Sequence, residues 1–199
     1  MEILNSEQVD ILGEIANISM GNSATSLSMM LNKRVEITTP SVKVIKRSQA
    51  LDDYENKCAF IQIHFIKGIE GNNVLILKEN DIKIMTDLMM GGDGSNIAGE
   101  IGELQLSAAA EAMNQMMGSA ATSLSTLIGV ATDISTPQVD MIDVESIKIF
   151  ERMFEGVNDN FIKVAFRINV EHLIDSVMVQ LYPLEFALNM IRKFEKARS

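Results

Sequence analysis

A chain of 199 residues, 47% of them hydrophobic, is long enough to bury a sizeable core as one domain or as two small fused ones. Its formal charge of −10 argues against nucleic acid, whose phosphates demand clustered Lys and Arg, and disfavours an anionic membrane surface. The apolar runs fall short of the ~18 residues of a membrane span, and MEILNSEQVD lacks a basic stretch followed by an apolar one, so no direct membrane insertion is expected and the composition predicts a cytoplasmic protein.

In chain order, a long helix is predicted from about Ser6 to Leu31. Alternating or β-branched segments follow at Arg34 to Thr39, Val42 to Arg47, Cys58 to Ile66 and Asn73 to Leu77, as strands require. A closing helix runs from Asp81 to Met90, where Gly91-Gly92-Asp93-Gly94-Ser95-Asn96 supplies a helix stop and a flexible joint. The order then repeats: a long helix from about Glu103 to Ile128, strands at Ala131 to Ser135, Val139 to Val144, Phe161 to Val170 and Ser176 to Leu181, and a closing helix from Leu184 to Lys193.

The repetition extends to residue identities. A shift of 97 positions places Glu14 on Glu111, Asn17 on Asn114, Met20 on Met117, Gly21 on Gly118 and Ala24 to Ser28 on Ala121 to Ser125. The same offset pairs Ile37, Thr39, Pro40, Val42 and Ile45 with Ile134, Thr136, Pro137, Val139 and Ile142. One register held across helix, loop and strand points to duplication, with residues 1–95 as the first half and 96–199 as the second. The expected fold is α+β. Two pseudo-two-fold copies of a unit (long helix, several mainly antiparallel strands, closing helix) would join their sheets and pack helices on them, burying more apolar surface than either could alone.

Asp10, Glu14 and Asn17 occupy i, i+4 and i+7 of the first helix, within an arc of roughly 60°. Ser107, Glu111 and Asn114 form the same stripe on the second. Polar residues on an amphipathic helix are ordinarily a solvated face. Solvated positions have no need of a particular residue, however, and here Glu and Asn persist while Gly13, Ile15, Ala16 and Ile18 have become Ala110, Ala112, Met113 and Gln115.

Other features read as architecture. Gly21, Ala24 and Ser28, with Gly118, Ala121 and Ser125, would shape helix packing, and Thr25 and Thr122 could bond back to helix carbonyls. Pro40 and Pro137 belong at an edge or bend, because proline fixes φ and donates no hydrogen bond. The 14 methionines read as adaptable core. Cys58 lies in an apolar alternation and reads as a buried structural thiol, while the lone His64 and His172 offer no metal site or general base.

The spacing Asp or Ser, three residues, Glu, two residues, Asn, 22 residues, Pro resembles the signature of the CheC, CheX and FliY family of CheY-phosphate phosphatases, and occurs twice. LGEIANISMGNSATSLS, VEITTP and LSAAAEAMNQMMGSAATSLS look most like the CheC-like domain of the flagellar-switch members, a likeness covering essentially the whole chain. The resemblance implies hydrolysis of the aspartyl-phosphate on a CheY receiver in chemotaxis and motor switching. By that analogy Asn17 and Asn114 hold the attacking water, Glu14 and Glu111 pair with the receiver's Lys, and Asp10 and Ser107 are peripheral partner contacts. No cofactor of the chain's own is implied; Mg²⁺ is expected on the receiver. Further implied partners are the switch proteins FliM, FliN and FliG or a CheD-like regulator, at the cytoplasmic face of the motor.

Departures from the family pattern are few. Flagellar-switch members add an N-terminal receiver-binding peptide and a C-terminal FliN-related domain, neither of which is found in this sequence, as expected of an excised fragment or a stand-alone relative. Ala16 replaces a glycine common before the motif Asn. The rival reading is a non-catalytic scaffold that docks a receiver or motor subunit through the same helices.

Overall fold

The computed structural model describes residues 2–52, 54 and 58–199, the side chains of Thr39 and Val144 excepted. The elements are α1 (Ser6–Leu31), β1 (Val35–Lys46), β2 (Cys58–Lys67), β3 (Ile69–Lys78), α2 (Glu79–Met89), α3 (Glu103–Ile128), β4 (Asp133–Ile134), β5 (Gln138–Met141), α4 (Val144–Met153), β6 (Asn160–Val170), β7 (Ile174–Pro183) and α5 (Leu184–Arg198).

Local chemistry sets the helix ends. Asn5 caps α1 by accepting from the Gln8 amide, while the Gln8 side chain accepts from the Asn5 amide, so two otherwise orphaned donors are satisfied. The helix stops where Asn32 turns left-handed at φ 52°; α3 stops at Gly129, φ 70°.

The strands form one seven-stranded sheet in the order β1-β6-β7-β3-β2-β4, with β5 also on β2. All these pairings are antiparallel. The two halves meet at β3 and β7, where Leu75 lies opposite Gln180. The outer strands are exchanged: β1 pairs with β6 of the second half, whereas β4 and β5 pair with β2 of the first. Each half thus completes its sheet with a strand from the other.

Helices α1, α2, α3 and α5 pack on one face of the sheet, sharing a core with Ile61, Ile63, Leu75, Val164, Phe166 and Met178. The nine buried residues of α1, from Leu12 to Leu31, each have a buried counterpart 97 positions on in α3, from Ala109 to Ile128. The opposite face alternates out of phase, as the two-residue strand period requires. There Phe60, Val74, Phe161 and Leu181 pack with Phe150 of α4 and Phe154 just past its end.

Three sequence expectations change. The segments read as separate strands at Arg34 to Thr39 and Val42 to Arg47 are one strand, β1, which crosses Pro40 by a register shift between Thr38 and Ser41. The missing proline N–H is tolerated because β1 is an edge strand and bulged there. The strand expected at Val139 to Val144 ends at Met141, and Asp143 caps a helix that was not expected, α4, by accepting from the Ser146 amide at 2.8 Å. Cys58 is half-buried rather than enclosed, because it opens β2 at the margin of the sheet.

Candidate functional site

Three turns of α1 and the bulge of β1 build the first site. Asp10, Glu14 and Asn17 are all exposed, and with Val9, Gly13, Thr38, Pro40 and Val42 they line one open groove of about 560 Å³. Leu12, Ile15, Ala16 and Ser19 on the other side of the helix are buried. The polar stripe is therefore the face that the apolar stripe leaves outward. Glu14 and Asn17, three residues apart, sit about 4.5 Å from one another along the axis and point to the same side.

Pro40 belongs to the groove itself as well as to the architecture. The bulge in β1 brings Thr38 and Pro40 into the same groove as Asn17 and gives it a wall that donates nothing from the proline nitrogen. Val42 is one of the repeated positions, but neither it nor Thr38 was read as part of a site; the fold brings both to the groove by laying β1 alongside α1.

The second site has the same helical half but different surroundings. Ser107 and Glu111 are exposed and Asn114 is half-buried. Asn114 lines a groove of about 740 Å³ walled by Gln115, Gly118, Thr122 and Asp133, with Ile18, Asn22 and Ser26 of α1 on the far side. Ser107 and Glu111 are not among the lining residues of that groove, and Pro137 is buried between β4 and β5. The Asn22 side chain donates to the Ser123 hydroxyl at 3.0 Å, joining α1 to α3 along this seam.

The packing role expected of the two repeated glycines is not imposed by the geometry. A methyl group at Gly118 would meet nothing within 4 Å, and one at Gly21 would only touch the Ile37 carbonyl oxygen at 3.8 Å. Close packing falls instead to Ala24 and Ala121, 4% and 3% exposed. Thr122 bonds back to the Gly118 carbonyl at 3.1 Å. Among the described residues, no group of three or more His, Cys, Asp or Glu side chains is placed to hold a metal ion. His64 pairs with Asn72, and His172 turns the β6–β7 hairpin at φ 60°.

The CheC-like family pattern matches residues 7–44 and again 104–140, which are the two opening helices with the strands and prolines that follow. The chain belongs to the CheC-like family. It is 45% identical over 98% of its length to the flagellar motor switch phosphatase FliY of Bacillus subtilis (strain 168), and spans 51% of that protein. The CheY-P phosphatase CheC of the same organism is 25% identical over 157 residues, covering 76% of this chain and 74% of CheC. The crystal structure of Thermotoga maritima FliY superimposes with a TM-score of 0.88 at 37% identity, covering 98% of this chain and 100% of that one. Both family matches end just past Pro40 and Pro137, so the shared pattern is the helix stripe together with the strand segment beside it.

Proposed function

We propose that this chain is the phosphatase domain of a chemotaxis and flagellar-switch protein, and that it accelerates hydrolysis of the aspartyl-phosphate on a CheY-type receiver. The observation that carries the reading is the open groove that Glu14 and Asn17 line together, both side chains exposed. An Asn side chain both donates and accepts, so Asn17 can orient a water in line with a phosphorus–oxygen bond without bringing negative charge toward the phosphoryl oxygens. The water oxygen bonds to phosphorus, the bond to the receiver's aspartyl oxygen breaks, and the carboxylate departs with inorganic phosphate as product.

Glu14 and Glu111 take the docking role, each pairing with a cation at the mouth of the receiver's site, with Asp10 and Ser107 as contacts one turn earlier. The Mg²⁺ of the reaction is the receiver's own, and what this chain contributes is position. The Glu–Asn pair occurs twice, so two active centres are expected. FliM, FliN, FliG or a CheD-like regulator are further proposed partners, at the cytoplasmic face of the motor. The reading is tested by phosphate release from a phosphorylated CheY-type receiver with Mg²⁺. Release rising with added protein is the expected result; release unchanged by a stoichiometric excess leaves the scaffold reading in its place.

A further inference from the structure

Glu14 and Glu111 are equivalent in sequence, yet they are not equivalent in charge environment. Arg198, at the end of α5, places Nη2 3.8 Å from Glu14 Oε1. Its guanidinium also lies 3.8 Å above the ring of Phe194, a residue only 3% exposed. A cation stacked on a fixed aromatic face has little freedom left to lose, so it is held in place opposite the carboxylate. The second site has no such arrangement. The first half's counterpart of α5 is α2, a helix of 11 residues against 15 with no basic residue in its last turn. Among the described residues Glu111 has no ion-pair partner.

We propose that Arg198 sets the two sites apart in docking: by sharing the Glu14 carboxylate it weakens the first site's hold on a receiver cation, so that the site built on Glu111 and Asn114 engages a receiver first. The inference rests on the docking role given to the two glutamates above. An incoming ammonium at Glu14 must share an acceptor already turned toward a guanidinium and must approach a like charge. At Glu111 it meets neither obstacle. Both charges of the pair are about half exposed, at 48% and 53%, so solvent limits the difference to the scale of a surface ion pair, about two- to five-fold in affinity.

The test measures binding, so it does not depend on hydrolysis. A CheY-type receiver activated with beryllofluoride and Mg²⁺ is titrated into Glu111→Gln protein, where the first site dominates, and into Glu14→Gln protein, where the second does. Arg198→Gln is then added to each. Binding is expected to tighten about two- to five-fold in the Glu111→Gln background and to stay unchanged in the Glu14→Gln background. Equal change in both backgrounds, no change in the first, weaker binding in the first, or no binding at all overturns the proposal. In the free protein, the NMR signal of the Arg198 Nε–H should move on Glu14→Gln and hold still on Glu111→Gln; an unmoved signal also overturns it. Absence of phosphate release alongside the expected pattern of affinities would instead strike only the phosphatase reading.

Discussion

The Ser28 hydroxyl accepts a hydrogen bond from the Val35 amide at 2.9 Å while donating to the Ala24 carbonyl at 2.8 Å, tying the last turn of α1 to the first residue of β1. Ser125 does the same in the second half, accepting from Thr132 at 2.8 Å and donating to Ala121 at 2.8 Å. This gives the repeated serines a physical reason. They fix where the strand leaves the helix and therefore where Pro40 comes to lie against the Asn17 stripe. Ser28→Ala and Ser125→Ala should each cost about 1 kcal/mol by leaving an amide without its acceptor, a fall of about 2–4 °C in Tm for a chain of this size. Thermal unfolding of the single variants checks it, and unchanged melting in both would contradict it.

The face of the sheet opposite α1 and α3 is held by aromatic packing. Phe161 is fully buried, with the Phe154 ring 4.8 Å away at 89° and the Phe150 ring 5.8 Å away. Phe161→Ala should cost about 3–5 kcal/mol, read as a lower denaturation midpoint. Because the sheet separates this cluster from both Asn residues, the variant's activity per folded molecule should be unchanged. A rate loss at temperatures where it remains folded would show that the back face is coupled to the grooves.

Asp81, at the start of α2, is 8% exposed. Burial holds its carboxyl above the ordinary 3.8, against the opposing pull of the Ser176 hydroxyl and the Lys78 charge. The folded chain therefore keeps the proton longer than the unfolded one, and stability falls as pH rises from about 3.8 through the raised folded value, then levels off. Asp81→Asn should melt with wild type below pH 3.8 and above it at neutral pH. Asp175 has the reverse sign, since hydrogen bonds from Arg167 at 2.9 Å hold its carboxyl low. Asp175→Asn should lose stability at neutral pH, with the loss vanishing as pH falls through the lowered value. Melting curves across pH decide both, and parallel curves for variant and wild type would contradict them.

Glu14→Ala and Glu111→Ala should act on association. With saturating receiver the maximal rate is expected to hold while KM rises. A fall in kcat at constant KM would place the carboxylates in the chemical step.

Much of this molecule could be read from its residues because the duplication let each half check the other. The long helices Ser6–Leu31 and Glu103–Ile128 lie in one register 97 positions apart, and the outward stripe is the complement of an apolar stripe repeated in that register. What escaped was non-local. Alternation announces strands at Arg34 to Thr39 and Val42 to Arg47, but their union across Pro40 and their pairing with β6 of the other half depend on the whole sheet. Val144 to Met153 was hidden for another reason: Val139 to Met141 set up a β pattern that the β-branched Ile142 and Val144 continue, and the equivalent first-half segment shows only a short turn at Arg47–Gln49. The Asp143–Ser146 cap was the available signal. Arg198 has no counterpart in the first half, so no repeat could mark it.

The central claim is that two carboxamides position the hydrolytic water. It is met most directly by phosphate release from a saturating phosphorylated receiver, measured with Asn17→Ala, Asn114→Ala and the double variant, each shown to bind the beryllofluoride-activated receiver as wild type does. The account predicts a partial loss for each single variant and a fall of about 100-fold or more in added rate for the pair. A double variant that binds the receiver and still releases phosphate at the wild-type rate would contradict it.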